Sequence, residues 1–154
     1  MILVTLGTQK EQFTRLLDYI ENSSITDEII VQAGHTKYNS KKMKIFEFIP
    51  YEEMEKYIEK ADLIITHSGT GSVLTPLKKG KKVIVCSRLK KYDEHVDDHQ
   101  QQLTEVLSDA GYILELNENN SLDQLYKNID KFNPKKYISN TNNFIKKLKN
   151  EIDK

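Results

Sequence analysis

Six short runs of apolar and β-branched residues divide the chain: ILVTL at 2–6, EIIVQA at 28–33, KIFEF at 44–48, DLIITH at 62–67, KVIVCS at 82–87 and YILEL at 112–116. Between them, apolar residues recur at helical spacing. The sets are Phe13, Leu16, Leu17 and Ile20; Met54, Tyr57 and Ile58; Val73, Leu74 and Leu77; and Leu103, Val106, Leu107 and Ala110. Strand followed by helix, repeated, predicts an α/β fold: a Rossmann-like, doubly wound parallel sheet of about six strands with helices on both faces.

Nearly all of these runs are unbroken apolar blocks, as expected of strands covered on both sides. KIFEF alternates instead, which places it at a sheet edge. Too few residues separate it from the second run for a full helix, so a short link is expected. HTKYNSKK at 35–42 reads as an exposed loop. Beyond residue 116 the chain turns rich in Asn and Lys. Ser121 is placed to cap a short helix, and a terminal helix from about residue 134 would carry Phe144, Ile145, Leu148 and Ile152 on one face. That stripe can dock on its own domain or be offered to another chain, including a second copy.

Length and composition narrow the picture. With 154 residues, one domain with one core is expected. Lys plus Arg and Asp plus Glu each number 23, so no positive excess draws the chain to nucleic acid. Basic residues cluster between 78 and 91, either as solvated surface or as a rim that attracts anions. The one cysteine, Cys86, lies in an apolar run and reads as a buried strand position in a reducing compartment. No apolar run approaches the roughly 20 residues that span a bilayer, and the start MILVTLGT is too short and lacks the basic leader of a signal peptide. A cytoplasmic location is therefore expected.

In open α/β sheets ligands bind beyond the carboxyl ends of the strands. Those positions hold Gly7 and Thr8, Gly34 and His35, then His67, Ser68, Gly69, Thr70, Gly71 and Ser72, and finally Ser87 and Arg88. SGTGS at 68–72 can be a tight turn with a hydroxyl cap. It can equally be a phosphate cradle, since glycines let backbone approach a ligand and a helix start offers free N–H groups. No Gly-Lys-Ser/Thr follows, and no G-x-G-x-x-G follows the first run, which argues against P-loop ATP chemistry and nicotinamide redox. A second constellation, KKYDEHVDDHQQQL at 90–103, brings Glu94, His95, Asp97, Asp98, His99 and Gln100 together. No thiolate set or H-E-x-x-H spacing accompanies them, so no metal is expected. Carboxylates and an amide suit sugar hydroxyls; an acidic first helical turn is the structural alternative.

Taken together, ADLIITHSGTGSVL, then GKKVIV, a basic loop and EHVDDHQ resemble the C-terminal, nucleotide-sugar-binding half of GT-B glycosyltransferases of the family 28 type. More narrowly they resemble the small donor-binding subunit of two-chain enzymes, as in the dolichol-linked UDP-GlcNAc transferase and in bacterial capsule and exopolysaccharide assembly. The resemblance runs from Met1 to about Leu116. It implies that Gly7, Thr8 and the loop Ser68, Gly69, Thr70, Gly71 and Ser72 approach the donor diphosphate. It also implies that His99 and Gln100 match a His-Gln pair associated with sugar hydroxyls, and that Phe48 and Ile49 lie near the uracil. Relatives often hold the ribose with a Glu six residues past the first glycine of the loop. Thr75 stands there, which leaves ribose recognition to Thr75, to Glu94 or to another residue.

A GT-B transferase needs two such domains, and this chain has room for one. The resemblance therefore implies a membrane-anchored, acceptor-binding partner subunit, a UDP-sugar donor (hexose, hexuronate or GlcNAc), a lipid-linked saccharide acceptor and recruitment to the inner face of the membrane. No cofactor is implied, and the base is expected in the partner, with His67 and His95 as candidate assistants. The alternative is a non-catalytic enhancer that activates a partner transferase. A receiver-type signalling module would need an acidic residue after the first run, and a hydrolase a G-x-S-x-G elbow; the sequence has neither.

Overall fold

A computed structural model describes residues 1–137. The elements follow in the order β1 (Ile2–Thr5), α1 (Thr14–Glu21), β2 (Ile29–Gln32), β3 (Met43–Phe46), α2 (Tyr51–Lys60), β4 (Leu63–Thr66), α3 (Thr70–Lys78), β5 (Val83–Val85), α4 (His99–Asp109), β6 (Leu114–Glu115) and α5 (Leu122–Lys127). Single 3-10 turns occupy Lys90–Tyr92 and Ile129–Lys131. The six strands form one sheet in the order β3-β2-β1-β4-β5-β6, every pair parallel. That is the predicted doubly wound architecture. KIFEF supplies the edge strand β3, reached from β2 by loop alone.

Both faces of the sheet are covered, which explains the unbroken apolar runs. Ile2, Val4, Val31, Ile65 and Ile84 pack with Phe13, Leu16, Leu17 and Ile20 of the α1 region and with Leu122 of α5. Leu3, Ile30, Ile64, Val83 and Val85 pack on the other side with Ile58 of α2, Val73, Leu74 and Leu77 of α3, and Leu103 and Leu107 of α4. An eight-residue helix such as α1 is too short to persist alone in water. Burial of Leu16, Leu17 and Ile20 holds it, each worth about 1.5–3 kcal/mol. Cys86 is fully buried, and burial pushes its thiol up to about 12. It behaves as a small apolar side chain, not as a nucleophile.

Ser121 caps α5, accepting from the Gln124 backbone N–H. Residues 134–137 run without helix; the Lys135 N–H donates to the Gly111 carbonyl at 2.9 Å, and Tyr137 is buried against the α4 side of the sheet. The stripe Phe144, Ile145, Leu148 and Ile152 lies outside the described residues.

The strand order reverses direction between β1 and β4. The chain leaves β1 toward β2 and β3, then crosses back by α2 to place β4 on the other side of β1. Loops that diverge from two adjacent strands open a crevice at their carboxyl ends. Thr5 and Thr66 are register partners there, their hydroxyl oxygens 2.6 Å apart.

Candidate functional site

The loop from β4 into α3 occupies this switch point. Gly69 is the N-cap of α3 in an extended conformation, and no side chain caps the helix. The first intrahelical bond of its kind runs from the Val73 N–H to the Gly69 carbonyl at 3.0 Å. The N–H groups of Thr70, Gly71 and Ser72 therefore stand at the positive end of the helix without intrahelical acceptors. Thr70 and Gly71 are exposed and Ser72 is half-buried. A Cβ added to Gly71 would meet nothing within 4 Å, so that glycine borders open space.

The other glycines are needed for packing. The His67 ring is wedged between Gly7 and Gly69: a Cβ on either would approach it to 2.6 Å. Gly7 also has φ 80°, a conformation that L side chains rarely adopt. Its carbonyl in turn sits where a Cβ on Gly34 would fall, at 2.4 Å. Gln32, at the end of β2, brackets Gly7 from both sides, accepting from its N–H at 3.3 Å and donating to its carbonyl at 3.1 Å. Gly7 thus serves the close stacking of the β1, β2 and β4 ends, and its backbone groups are already engaged. Thr8, next along, is exposed.

His67 is buried, and both ring nitrogens have partners: Nδ1 lies 3.2 Å from the Gln100 amide nitrogen and Nε2 3.2 Å from the Ser72 hydroxyl. Burial, reinforced by the nearby Arg88 cation, pushes its pKa down to about 3. A neutral imidazole so engaged is a poor proton acceptor. The Gln100 Oε1 accepts from the backbone N–H groups of Ser68 (3.2 Å) and Arg88 (3.0 Å). Of this amide's capacity, one N–H remains for a ligand. Its place in the structure is that of a brace between the β4 and β5 loops.

Arg88 supplies charge. Its side chain is fully buried and donates to the carbonyls of Glu11 (2.7 Å), Glu94 (3.0 Å) and Leu6 (2.6 Å), with the guanidinium 4.9 Å from the Phe13 ring centre. Burial pulls its pKa down, opposed by Glu94 and Glu11. All these donors go to backbone oxygens, so a cation without a bonded carboxylate lies beside the loop that cradles the α3 terminus. The Ser68 hydroxyl, buried within that loop, has no hydrogen-bond partner among the described residues.

The sequence matches the glycosyltransferase family 28 C-terminal domain across residues 1–154. The chain belongs to this family. A UDP-N-acetylglucosamine transferase subunit ALG13 of Saccharomyces cerevisiae is 37% identical over 73 residues, 47% of this chain and 34% of that protein. Its human namesake is 36% identical over 62 residues, 40% of this chain and 5% of that protein. The match thus spans about a third of the yeast relative and far less of the human one. In fold, an NMR structure of ALG13 superposes with a TM-score of 0.65 at 20% identity, covering 99% of this chain and 96% of that one. The glycosyltransferase SnogD of Streptomyces nogalater gives a TM-score of 0.60 at 18% identity, covering 99% of this chain and 39% of that one. The GT-B type of sheet expected from the resemblance is therefore the fold of this domain.

Within this family 28 domain, the residues of the second constellation lie between β5 and the start of α4, in unlike surroundings. Glu94 is buried and paired with Arg15, its oxygens accepting from Nε at 3.0 Å and from Nη2 at 2.9 Å, while the Leu89 N–H adds a third bond at 3.0 Å. Arg15 also donates to the Ser87 carbonyl at 2.8 Å and sits 4.8 Å from the Tyr92 ring centre. Burial disfavours the Arg15 cation, but Glu94 and Tyr19 outweigh it and the pKa rises. With three hydrogen bonds accepted and its side chain 3% exposed, Glu94 presents little of its carboxylate to a ligand. His99 opens α4 with its side chain exposed, near Asp97 at 3.5 Å, and His95 lies 3.2 Å from the same carboxylate. Among the described residues no three His, Cys, Asp or Glu side chains converge as a metal site, and no helix is long and apolar enough to cross a membrane. Thr75 is exposed on α3 and lines a groove of about 200 Å³ with Gly71, Ser72, Gln32 and, from α2, Tyr51 and Glu55. Glu55 is the one carboxylate among the groove's described lining residues.

Proposed function

We propose that this domain holds a UDP-sugar donor at the switch point between β1 and β4, and that it is the donor-binding half of a glycosyltransferase completed by an acceptor-binding chain. The uncapped start of α3 carries this reading: free N–H groups, open space at Gly71 and a buried cation nearby suit a diphosphate. In the transfer, the sugar moves to an acceptor hydroxyl and UDP leaves. Helix-terminal N–H groups and the Ser72 hydroxyl stabilise the negative charge that develops on the leaving oxygen. No metal is assigned to this step, and the base comes from the partner.

The groove beside Ser72 is the proposed nucleoside subsite. Thr75 offers one hydroxyl, and Glu55 supplies across the groove the carboxylate that ribose hydroxyls need, in place of the engaged Glu94. Glu55→Gln is expected to weaken UDP binding about fivefold to tenfold, the difference between a hydrogen bond to a charged acceptor and one to a neutral amide, in isothermal titration.

The partner reading rests on a second observation. The large hydrophobics exposed among the described residues are Phe48, Tyr51, Tyr92 and Val96. All four lie after β3 or after β5, on the carboxyl edge of the sheet that holds the site. A chain that closes over this edge would cover them and exclude water from the reaction. We propose a membrane-anchored partner, a lipid-linked saccharide acceptor and work at the cytoplasmic face of the membrane. The relatives' names support testing UDP-GlcNAc as the first donor; a capsular or exopolysaccharide acceptor is the setting proposed from the sequence. Transfer should be measured with a panel of UDP-sugars for the chain alone and co-expressed with a membrane-anchored candidate. Activity in the pair together with UDP binding by this chain supports the split enzyme. Activation of the partner without UDP binding here would make this chain an enhancer.

A further inference from the structure

The hydrogen bonds around His67 have a definite direction. The Gln100 side-chain atom facing the Ser68 and Arg88 backbone N–H groups receives two donors, at 3.2 and 3.0 Å, and so must be the amide oxygen. The other atom is then the NH2 group, a donor. It faces His67 Nδ1 at 3.2 Å, so Nδ1 accepts. A neutral imidazole that accepts at Nδ1 carries its proton on Nε2. That N–H points to the Ser72 hydroxyl oxygen at 3.2 Å. Ser72 accepts there, and its own proton is released from the loop.

We propose that Gln100 and His67 are positioning residues that fix Ser72 as a hydrogen-bond donor to an oxyanion at the start of α3, namely the diphosphate of the donor. The inference rests on the donor-site reading above. It explains why a histidine is wedged between two glycines in a place that a smaller residue would fill more easily. It also explains why Gln100 is buried 33 residues along the chain from the ring it orients. A serine free to rotate could present either its proton or a lone pair to the ligand, and a lone pair would repel a phosphate oxygen. With the relay in place, one lone pair is engaged by His67 and the proton is free to point at the ligand.

Two measurements on the full chain test this. Long-range ¹H–¹⁵N correlation spectra at neutral pH report which ring nitrogen of His67 bears the proton; protonated Nε2 with bare Nδ1 is expected, and a protonated Nδ1 overturns the relay. UDP affinities are then measured for His67→Phe, Ser72→Ala and the double variant. Each single change is expected to cost about fivefold to tenfold, with the double variant no weaker than Ser72→Ala alone, because His67 acts through that hydroxyl. Additive losses would show His67 acting independently of Ser72 and would overturn the relay. If the unaltered chain binds no UDP, the donor-site reading itself fails, and the ring tautomer still decides the direction of the bonds. Should His67→Phe not fold, the tautomer decides alone.

Discussion

The two polar segments that flank the crevice, one between β4 and α3 and one between β5 and α4, differ in how their groups are spent. The second carries more charge, yet Glu94, its one deeply buried carboxylate, is engaged by Arg15 and the Leu89 N–H. The first has no charged side chain from His67 to Ser72, since its imidazole is neutral. It nevertheless keeps helix-terminal N–H groups and a directed hydroxyl open toward solvent. On the proposed reading, recognition rests with uncharged donors held by a hydrogen-bonded frame, and the charged segment is part of that frame. Through Arg88, Gln100 and Glu94 it ties the ends of β1, β4 and β5 together. A charge-rich stretch reads as chemistry in one dimension, but in three dimensions its charges satisfy each other first.

Breaking the frame should cost more than blocking the site. Glu94→Ala leaves the Arg15 guanidinium partly buried without its counter-charge, and a loss of about 3–5 kcal/mol in urea unfolding is expected. A loss under 1 kcal/mol would make the pair an ordinary surface contact. Gly71→Leu should do the opposite. Its side chain enters open space, so stability should hold, while UDP affinity falls on the order of a hundredfold, ~2.8 kcal/mol, because the side chain fills the approach to the α3 terminus. Unchanged UDP affinity would move the diphosphate away from this loop. Gly69→Leu is a poor substitute for the test, since it strikes the His67 ring and disturbs frame and site together.

The frame was less legible in the sequence than the fold. Strand and helix positions follow from local periodicity, and KIFEF marked itself as an edge by alternating. The glycine-rich loop at 68–72 was also visible, because a helix start after a buried strand is a local signal. What escaped was every bond between distant segments. Arg15 reads as one more polar residue on α1 until it is found 79 positions from the carboxylate it pairs with. Gln32 sits inside an apolar run with nothing to mark it as the bracket of Gly7. The glycines at 7 and 69 were expected to yield room to a ligand; they yield it to a histidine ring. Residue type alone does not distinguish a glycine emptied for a ligand from one emptied for a neighbour. Of the three glycines at 7, 69 and 71, Gly71 is the one that borders open space.

The pH dependence of stability separates frame from site at His67, with an effect spread over several pH units. The unfolded chain protonates this histidine below about pH 6.5, whereas the folded protein keeps it neutral down to about 3. Between those values the unfolded state binds the extra proton, so the contribution is fully present above about pH 6.5 and is lost as pH falls, at about 1.4 kcal/mol per pH unit. The charges that bear on the ring are Arg88 from the end of β5 and His95 from the loop before α4, and both oppose its protonation. Carboxylates also titrate in this window, including Asp97, held low by its bonds and charges around His99 and His95. The decisive quantity is therefore the difference between the unaltered chain and His67→Phe in urea unfolding at a series of pH values. A shallower slope for the variant between pH 6 and 4 places the neutral imidazole within the frame. Parallel slopes would mean that the ring accepts a proton in the folded state, and His67 would then belong with the titrating groups of the charged segment.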